Sequence, residues 1–211
     1  MSTPRNKFLF THISILRKIK TAQFVRQIPA IILLWASFLL NYAFPALELY
    51  TLALIIALTA IVWNLFISMN YRFKRRIPTP PENAILSPLQ GKIRFIRGNE
   101  ETLLLSIRKI FLDRVEIRAP LDNCRREEDM LKLTLGDKNY SFRFNAKNIR
   151  WFDYAEMKSG NVIGTMVGSG TCTVSMPGNS KLELVEGRLL DSGEPILEFE
   201  DDQPQAVIII E

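Results

Sequence analysis

The runs I-P-A-I-I-L-L-W-A-S-F-L-L-N-Y-A-F-P-A-L, residues 28–47, and L-Y-T-L-A-L-I-I-A-L-T-A-I-V-W-N-L-F-I-S-M, residues 49–69, stand back to back with only Glu48 between them. Each is as long as the roughly 20 apolar residues that a helix needs to cross a hydrocarbon core. The break at Phe44-Pro45-Ala46-Leu47-Glu48 joins a helix-breaking proline to the only charge of residues 28–71, which predicts a transmembrane helical hairpin. Trp35, Tyr42, Tyr50, Trp63 and Tyr71 include candidate interfacial anchors. A cleaved signal peptide does not fit, because the basic leader is long, no cleavage-like site follows and a second span comes at once. The competing interpretation, a buried helix pair in a soluble protein, is disfavoured by two near-uncharged spans in succession.

Working outward, both flanks are basic. Residues 1–27 hold six Lys or Arg and no acid, and residues 72–76 add Arg72, Lys74, Arg75 and Arg76. The positive-inside rule then puts both termini, and everything after residue 76, on the cytoplasmic side of the inner (cell) membrane. The leader from Phe8 to Arg26 alternates apolar and basic residues, as expected of a segment on the anionic inner leaflet or of a disordered tail. The remainder, residues 77–211, carries 17 basic and 21 acidic residues, so the net +5 of the chain is membrane-flanking charge. A nucleic-acid partner is therefore not expected. Cys124 and Cys172 form no C-x-x-C and suit a reducing compartment. The sole histidine, His12, lies in the leader, which removes Ser-His-Asp, Cys-His and zinc-hydrolase chemistry from the globular part; no metal is expected.

Ile77-Pro78-Thr79-Pro80-Pro81 is expected to be a stiff connector. After it the period is mostly two: Ile93/Phe95, Leu103/Leu105/Ile107, Val115/Ile117, Leu131/Leu133/Leu135, Tyr140/Phe142/Phe144, Leu182/Leu184 and Ile196/Phe199. Residues 99–102 and 158–161 are candidate hairpin turns, and Ala206–Ile210 a candidate closing strand. No amphipathic helix is expected after residue 77. The predicted organisation is a basic leader (1–27), two transmembrane helices (28–71), a basic Pro-rich linker (72–84) and an all-β, barrel- or sandwich-like cytoplasmic domain (85–211).

Asn161 to Pro177, N-V-I-G-T-M-V-G-S-G-T-C-T-V-S-M-P, places a Gly168-Ser169-Gly170 turn between two strand-like arms. Together with Arg75-Arg76-Ile77-Pro78, Ile85-Leu86-Ser87-Pro88-Leu89-Gln90-Gly91-Lys92-Ile93, Ile110 to Pro120 and Glu186 to Leu197, it resembles the phosphatidylserine decarboxylase family, most of all the short bacterial and archaeal type. The similarity spans roughly residues 72–200. It implies a serine that self-cleaves at a Gly-Ser bond, becomes a pyruvoyl group and serves as the electron sink for decarboxylation. The resemblance also implies an Asp–His pair that activates the serine. Here the aspartate falls on Gln90 and the histidine on Val115, and neither residue carries that chemistry. Without gaps, the family's Gly-Ser lands on Ser169-Gly170, so the literal Gly168-Ser169 pair sits one residue early. A bulge at Gly170 would absorb that slip. A general base contributes about 10²–10⁴-fold, and an orienting carboxylate on the order of 10⁴-fold in one well-studied triad.

The expectation is a non-cleaving decarboxylase homologue without a cofactor, which binds membrane phospholipids or regulates phospholipid metabolism, with a membrane or cytoplasmic protein as a further candidate partner. Arg114, Arg118, Arg125 and Arg126 are candidate head-group ligands; alternatively Arg125-Arg126 pairs with Glu127-Glu128-Asp129 on a solvated loop. The second reading is an active carboxy-lyase making phosphatidylethanolamine, cleaved at Gly168/Ser169, with Asp113 or Glu116 as substitute base and a pyruvoyl group derived from Ser169. A third is an adaptor with biotinyl- or lipoyl-like hairpins, in which Met157-Lys158-Ser159 would carry the modifiable lysine.

Overall fold

The computed structural model describes residues 8–43, 47–81, 83–153, 157–178, 180 and 182–199. The chain divides into a helical unit, residues 13–72, and a β unit made of residues 1–12 and 73–211.

The helical unit is a pair, α1 (Ile13–Ala43) and α2 (Leu47–Asn70), both long and apolar enough to cross a membrane. Small residues set the seam: Ala30 and Ser37 on α1, and Ala53 and Ala60 on α2, are buried at a spacing of seven in each helix. Without bulky side chains between them the backbones approach closely, and Ser37 donates to the Ala53 carbonyl at 2.7 Å. Gln27 donates from Nε2 to Asn64 Oδ1 and Ser68 Oγ, both at 3.0 Å. The large apolar side chains point the other way: Trp35, Phe38, Ile55, Val62 and Leu65 are exposed. The basic leader is not a separate segment, because α1 runs unbroken from Ile13 through Pro29 into the apolar run. The break at 44–46 lies outside the described residues.

The β unit begins earlier than the sequence suggests. β1 (Phe8–Phe10) pairs antiparallel with β2 (Arg76–Pro78), so part of the expected leader and part of the expected connector form one small sheet. Ile77 is buried in a notch where Gly160 and Gly193 leave room: a Cβ on either glycine would meet its Cδ1 at 2.9 and 2.8 Å.

The remaining strands, all antiparallel, are β3 (Ala84–Leu86), β4 (Gly91–Gly98), β5 (Thr102–Lys109), β6 (Glu116–Arg118), β7 (Arg125–Glu127), β8 (Met130–Leu135), β9 (Lys138–Asn145), β10 (Ile149–Trp151), β11 (Val162–Met166), β12 (Gly170–Pro177), β13 (Leu189–Leu190) and β14 (Pro195–Glu198). A seven-stranded sheet, β13-β4-β5-β12-β9-β8-β7, shares one apolar core with the three-stranded sheet β10-β11-β6 and the pair β14-β3. Period-two alternation supplies that core: Leu105, Ile107, Leu131, Phe142, Cys172 and Val174 all face inward. Residues 99–101 turn β4 into β5 as expected, with Asn99 Oδ1 accepting from the Thr102 amide. Leu182/Leu184 forms no strand, and Ala206–Ile210 lies outside the described residues.

Candidate functional site

The Gly168-Ser169 turn joins two different sheets. β11 pairs with β6 and β10, whereas β12 pairs with β5 and β9. The chain must therefore bend sharply between them, and Gly168 does this at φ +85°, a conformation that suits glycine. The expected bulge at Gly170 is absent: the β12–β5 register runs unshifted from Gly170↔Lys109 to Pro177↔Thr102. Gly170 has another reason to be glycine. A Cβ there would lie 2.6 Å from Ala146 Cβ, 2.7 Å from Met166 Sδ and 3.1 Å from the Asn145 carbonyl oxygen. The position on which the family's serine falls without gaps has no room for a side chain.

Hydrogen bonds to the backbone connect the surroundings of the three positions singled out in the sequence. Gln90 Oε1 accepts the Arg114 amide at 2.9 Å, next to Val115. The Val115 carbonyl accepts the Met166 amide at 2.7 Å, two residues before Gly168. Gln90 thus closes a backbone hydrogen bond and Val115 is fully buried, so neither presents a titratable group to the turn. Ser169 is exposed, and among the described residues its hydroxyl has no hydrogen-bond partner.

Sequence reasoning missed Lys109. At the end of β5 it continues the inward series of Leu105 and Ile107, and its ammonium is enclosed rather than solvated. Nζ donates to the carbonyl oxygens of Gly168 at 2.7 Å and of Ile110 and Asp113 at 3.2 Å each. Burial pulls its pKa from 10.5 down to about 8, against the opposing attraction of Asp113 and Glu116. Asp113 is engaged locally, its Oδ2 accepting the Ile110 amide at 2.7 Å. The only signal for Lys109 was its parity within an apolar strand.

Beside this turn lies an ionic cluster built from β6 and the β13–β14 turn. Glu116 and Arg118 are both about 1% exposed. Glu116 Oε1 accepts the Lys74 amide at 3.1 Å and the Ser192 hydroxyl at 3.0 Å, with Arg118 3.7 Å away. Arg118 donates to the carbonyls of Gly160 and Lys74, both at 2.8 Å. Burial lowers its pKa, opposed by Glu116 and Asp191. Asp191 binds Lys74 Nζ at 2.8 Å and also Arg114. Burial works against its ionised form, but the hydrogen bonds from Lys74 and Arg114 outweigh it and hold the carboxyl below its ordinary value. Glu116 Oε2 and Arg118 Nε are buried without a partner.

The four candidate head-group arginines are accordingly not one patch. Arg118 is spent on internal carbonyls and Arg114 on Asp191, while Arg125 and Arg126 sit on β7, an edge strand. Arg126 pairs with Asp153 at 2.8 Å and lies over the Trp151 ring, and Glu127 pairs with Lys132 at 2.5 Å with Arg125 adding to the attraction. Of the pairing expected within 125–129, only Arg125 with Glu127 is seen, on a strand rather than a loop. Glu116, the other candidate substitute base, is sealed in the ionic cluster. Lys158 is exposed in a turn whose next residue, Ser159, donates its amide to Asp122 at 2.6 Å. Compared with protein-family models, with curated proteins and with solved structures, the chain finds no match in any of the three.

Proposed function

We propose that the chain is a membrane-tethered β domain of phosphatidylserine decarboxylase type that does not cleave itself and works by binding phospholipid or regulating its metabolism. One observation carries this reading. Gln90 closes a backbone bond next to Val115, and Val115, whose carbonyl holds the strand leading into the Gly168-Ser169-Gly170 turn, packs the core, so neither offers a proton-transfer group. Both positions lack the proton-transfer groups that the family's mechanism needs, and Gly170 has no space for a serine. No cofactor is required.

Both termini and the β unit are proposed to lie in the cytoplasm. The basic flanks carry the choice of side, and the β1–β2 pairing supports a common side, because the segments before and after the helix pair share one sheet.

The test is a denaturing gel with an intact mass of the purified full-length chain. A single species of full mass is expected; a fragment beginning at residue 169 with a blocked, ketone-bearing N-terminus overturns the reading. One feature favours the active alternative. Lys109 Nζ stands 2.7 Å from the Gly168 carbonyl oxygen, where negative charge would develop if the Ser169 hydroxyl attacked that carbonyl. In that case Lys109→Met would abolish the fragment along with Ser169→Ala.

A further inference from the structure

The strand register gathers cations that the sequence scatters. On the face of the seven-stranded sheet turned away from the core, Lys92 stands opposite Arg108, which stands opposite Thr171 and then Asn145. One row on, Phe95, Ser106, Thr173 and Arg143 align, and in the next row Arg97, Leu104, Ser175 and Ser141. The bulge between Ile93 and Phe95 adds Arg94 to the exposed side. Lys92, Arg94, Arg97, Arg108 and Arg143 are all exposed, and among the described residues none of them forms an ion pair. Arg125 and Lys132 extend the field to the β7 edge, where the one carboxylate of the face among the described residues, Glu127, is bound to Lys132. Other acids sit at the margins: Glu100 and Glu101 in the β4–β5 turn, Glu128 and Asp129 in the β7–β8 turn, Asp137 in the β8–β9 turn, and Glu186 at the β4 border, where it accepts the Ile96 amide.

This concentration occurs in a region, residues 77–211, whose net charge is −4. The Lys92–Arg108 pair puts like charges directly across an antiparallel ladder, about 5 Å apart at Cβ, an arrangement that works against the sheet unless an anion shares it. From β4 to β9 the field is about 14 Å wide, at about 4.8 Å per strand. Hydroxyl groups fill its centre, and Leu104 and Leu189 stand exposed among the cations. Exposed aromatic platforms, which nucleic-acid bases would stack on, are lacking here: the only aromatic ring of the rows, Phe95, is half-buried beneath Arg97.

We infer that this sheet face docks on an anionic phospholipid surface, with phosphates between the cations and the two leucines at the head-group boundary. The inference rests on the proposed membrane tether, which would keep the face at high effective concentration near lipid. Each Lys or Arg near an anionic leaflet strengthens attachment about fivefold.

The experiment uses the full chain in phosphatidylcholine nanodiscs, mixed with vesicles of phosphatidylglycerol and phosphatidylcholine in equal parts and separated by flotation. Docking is expected with these vesicles and not with pure phosphatidylcholine, and is lost as salt shortens the Debye length from about 10 Å to about 3 Å. Replacing Lys92, Arg94, Arg108 and Arg143 by Gln is expected to weaken docking several-hundred-fold. The same charge loss at Lys147, Arg150, Lys158 and Arg188 is expected to change it no more than about tenfold, and thermal unfolding checks that both variants fold. Equal losses in the two variants, docking on neutral vesicles, or tighter binding of a single-stranded RNA than of the anionic vesicles each overturns the inference. Failure of the tether is read separately, as chain that does not copurify with the nanodiscs.

Discussion

Restoring a serine at position 170 tests the steric account of the turn. In Gly170→Ser the new Cβ starts 2.6 Å from Ala146 Cβ and 2.7 Å from Met166 Sδ. The sulfur ends a flexible side chain, but Met166 is itself fully buried, and Ala146 Cβ moves only with its backbone. Overpacking of this kind costs about 1–3 kcal/mol, offset by about 0.4–1 kcal/mol because the unfolded chain loses freedom when glycine is replaced. The net is about 1–2 kcal/mol, which at about 2–4 °C per kcal/mol for a protein of this size lowers the midpoint by roughly 2–8 °C. Thermal unfolding of the full chain in detergent, followed by tryptophan fluorescence, reads this directly. Adding Ala146→Gly removes the tightest contact and is expected to return about half of the loss. A Gly170→Ser protein that melts with the parent, or that splits between residues 169 and 170, refutes the reasoning.

Three further outcomes follow from buried charges and the helix seam. Lys109 has a folded pKa of about 8 against 10.5 unfolded, so the unfolded state holds more protons between those values and this group makes stability rise with pH across that window. The rise is at most about 3 kcal/mol; Lys109→Met is expected to lack it, and parallel pH profiles of parent and variant would refute the enclosed ammonium. Glu116→Gln leaves Arg118 buried without its counter-charge and is expected to cost about 3 kcal/mol, whereas Glu194→Gln, at the partly exposed pair with Arg188, is expected to cost under about 1 kcal/mol by chemical denaturation. Gln27→Leu deletes two inter-helix hydrogen bonds and is expected to cost about 1–2 kcal/mol, seen as faster amide exchange in the helix pair.

What could be read in the sequence was what depends on neighbours along the chain. The two apolar runs report helices long enough to cross a membrane, and the alternation of Leu131/Leu133 or Tyr140/Phe142/Phe144 reports local burial. The helix pair and those strands are found, with α1 beginning at Ile13, inside the expected leader. Leu182/Leu184 shows that alternation alone is not pairing: residues 182–185 have the period without a ladder. Ile77-Pro78 reads as a connector because proline cannot donate, yet a two-stranded sheet always has an edge and tolerates a missing N–H there. The site was legible only in outline. Gln90 and Val115 connect through Arg114 and Met166 to the strand before the turn, but the chemical type of Arg118 could not say that it faces inward, and nothing local marks Lys109 as enclosed. Both depend on which β6 or β5 residues look toward the core, a property of strands far apart in sequence.

The sheet of β1 and β2 also dictates an order of assembly. Phe8 pairs with Pro78, and both helices lie in the loop that this contact closes. Closing a flexible loop of about 70 residues costs on the order of 4 kcal/mol of chain entropy, more than three ladder residues are expected to return. Pairing of α1 with α2 removes most of that cost beforehand, because it already holds Gln27 beside Ser68. β1 is therefore expected to join late, after the helices have zipped together. Its docking, by way of Leu9 against the Gly160 notch, would register that a chain has completed its helical hairpin.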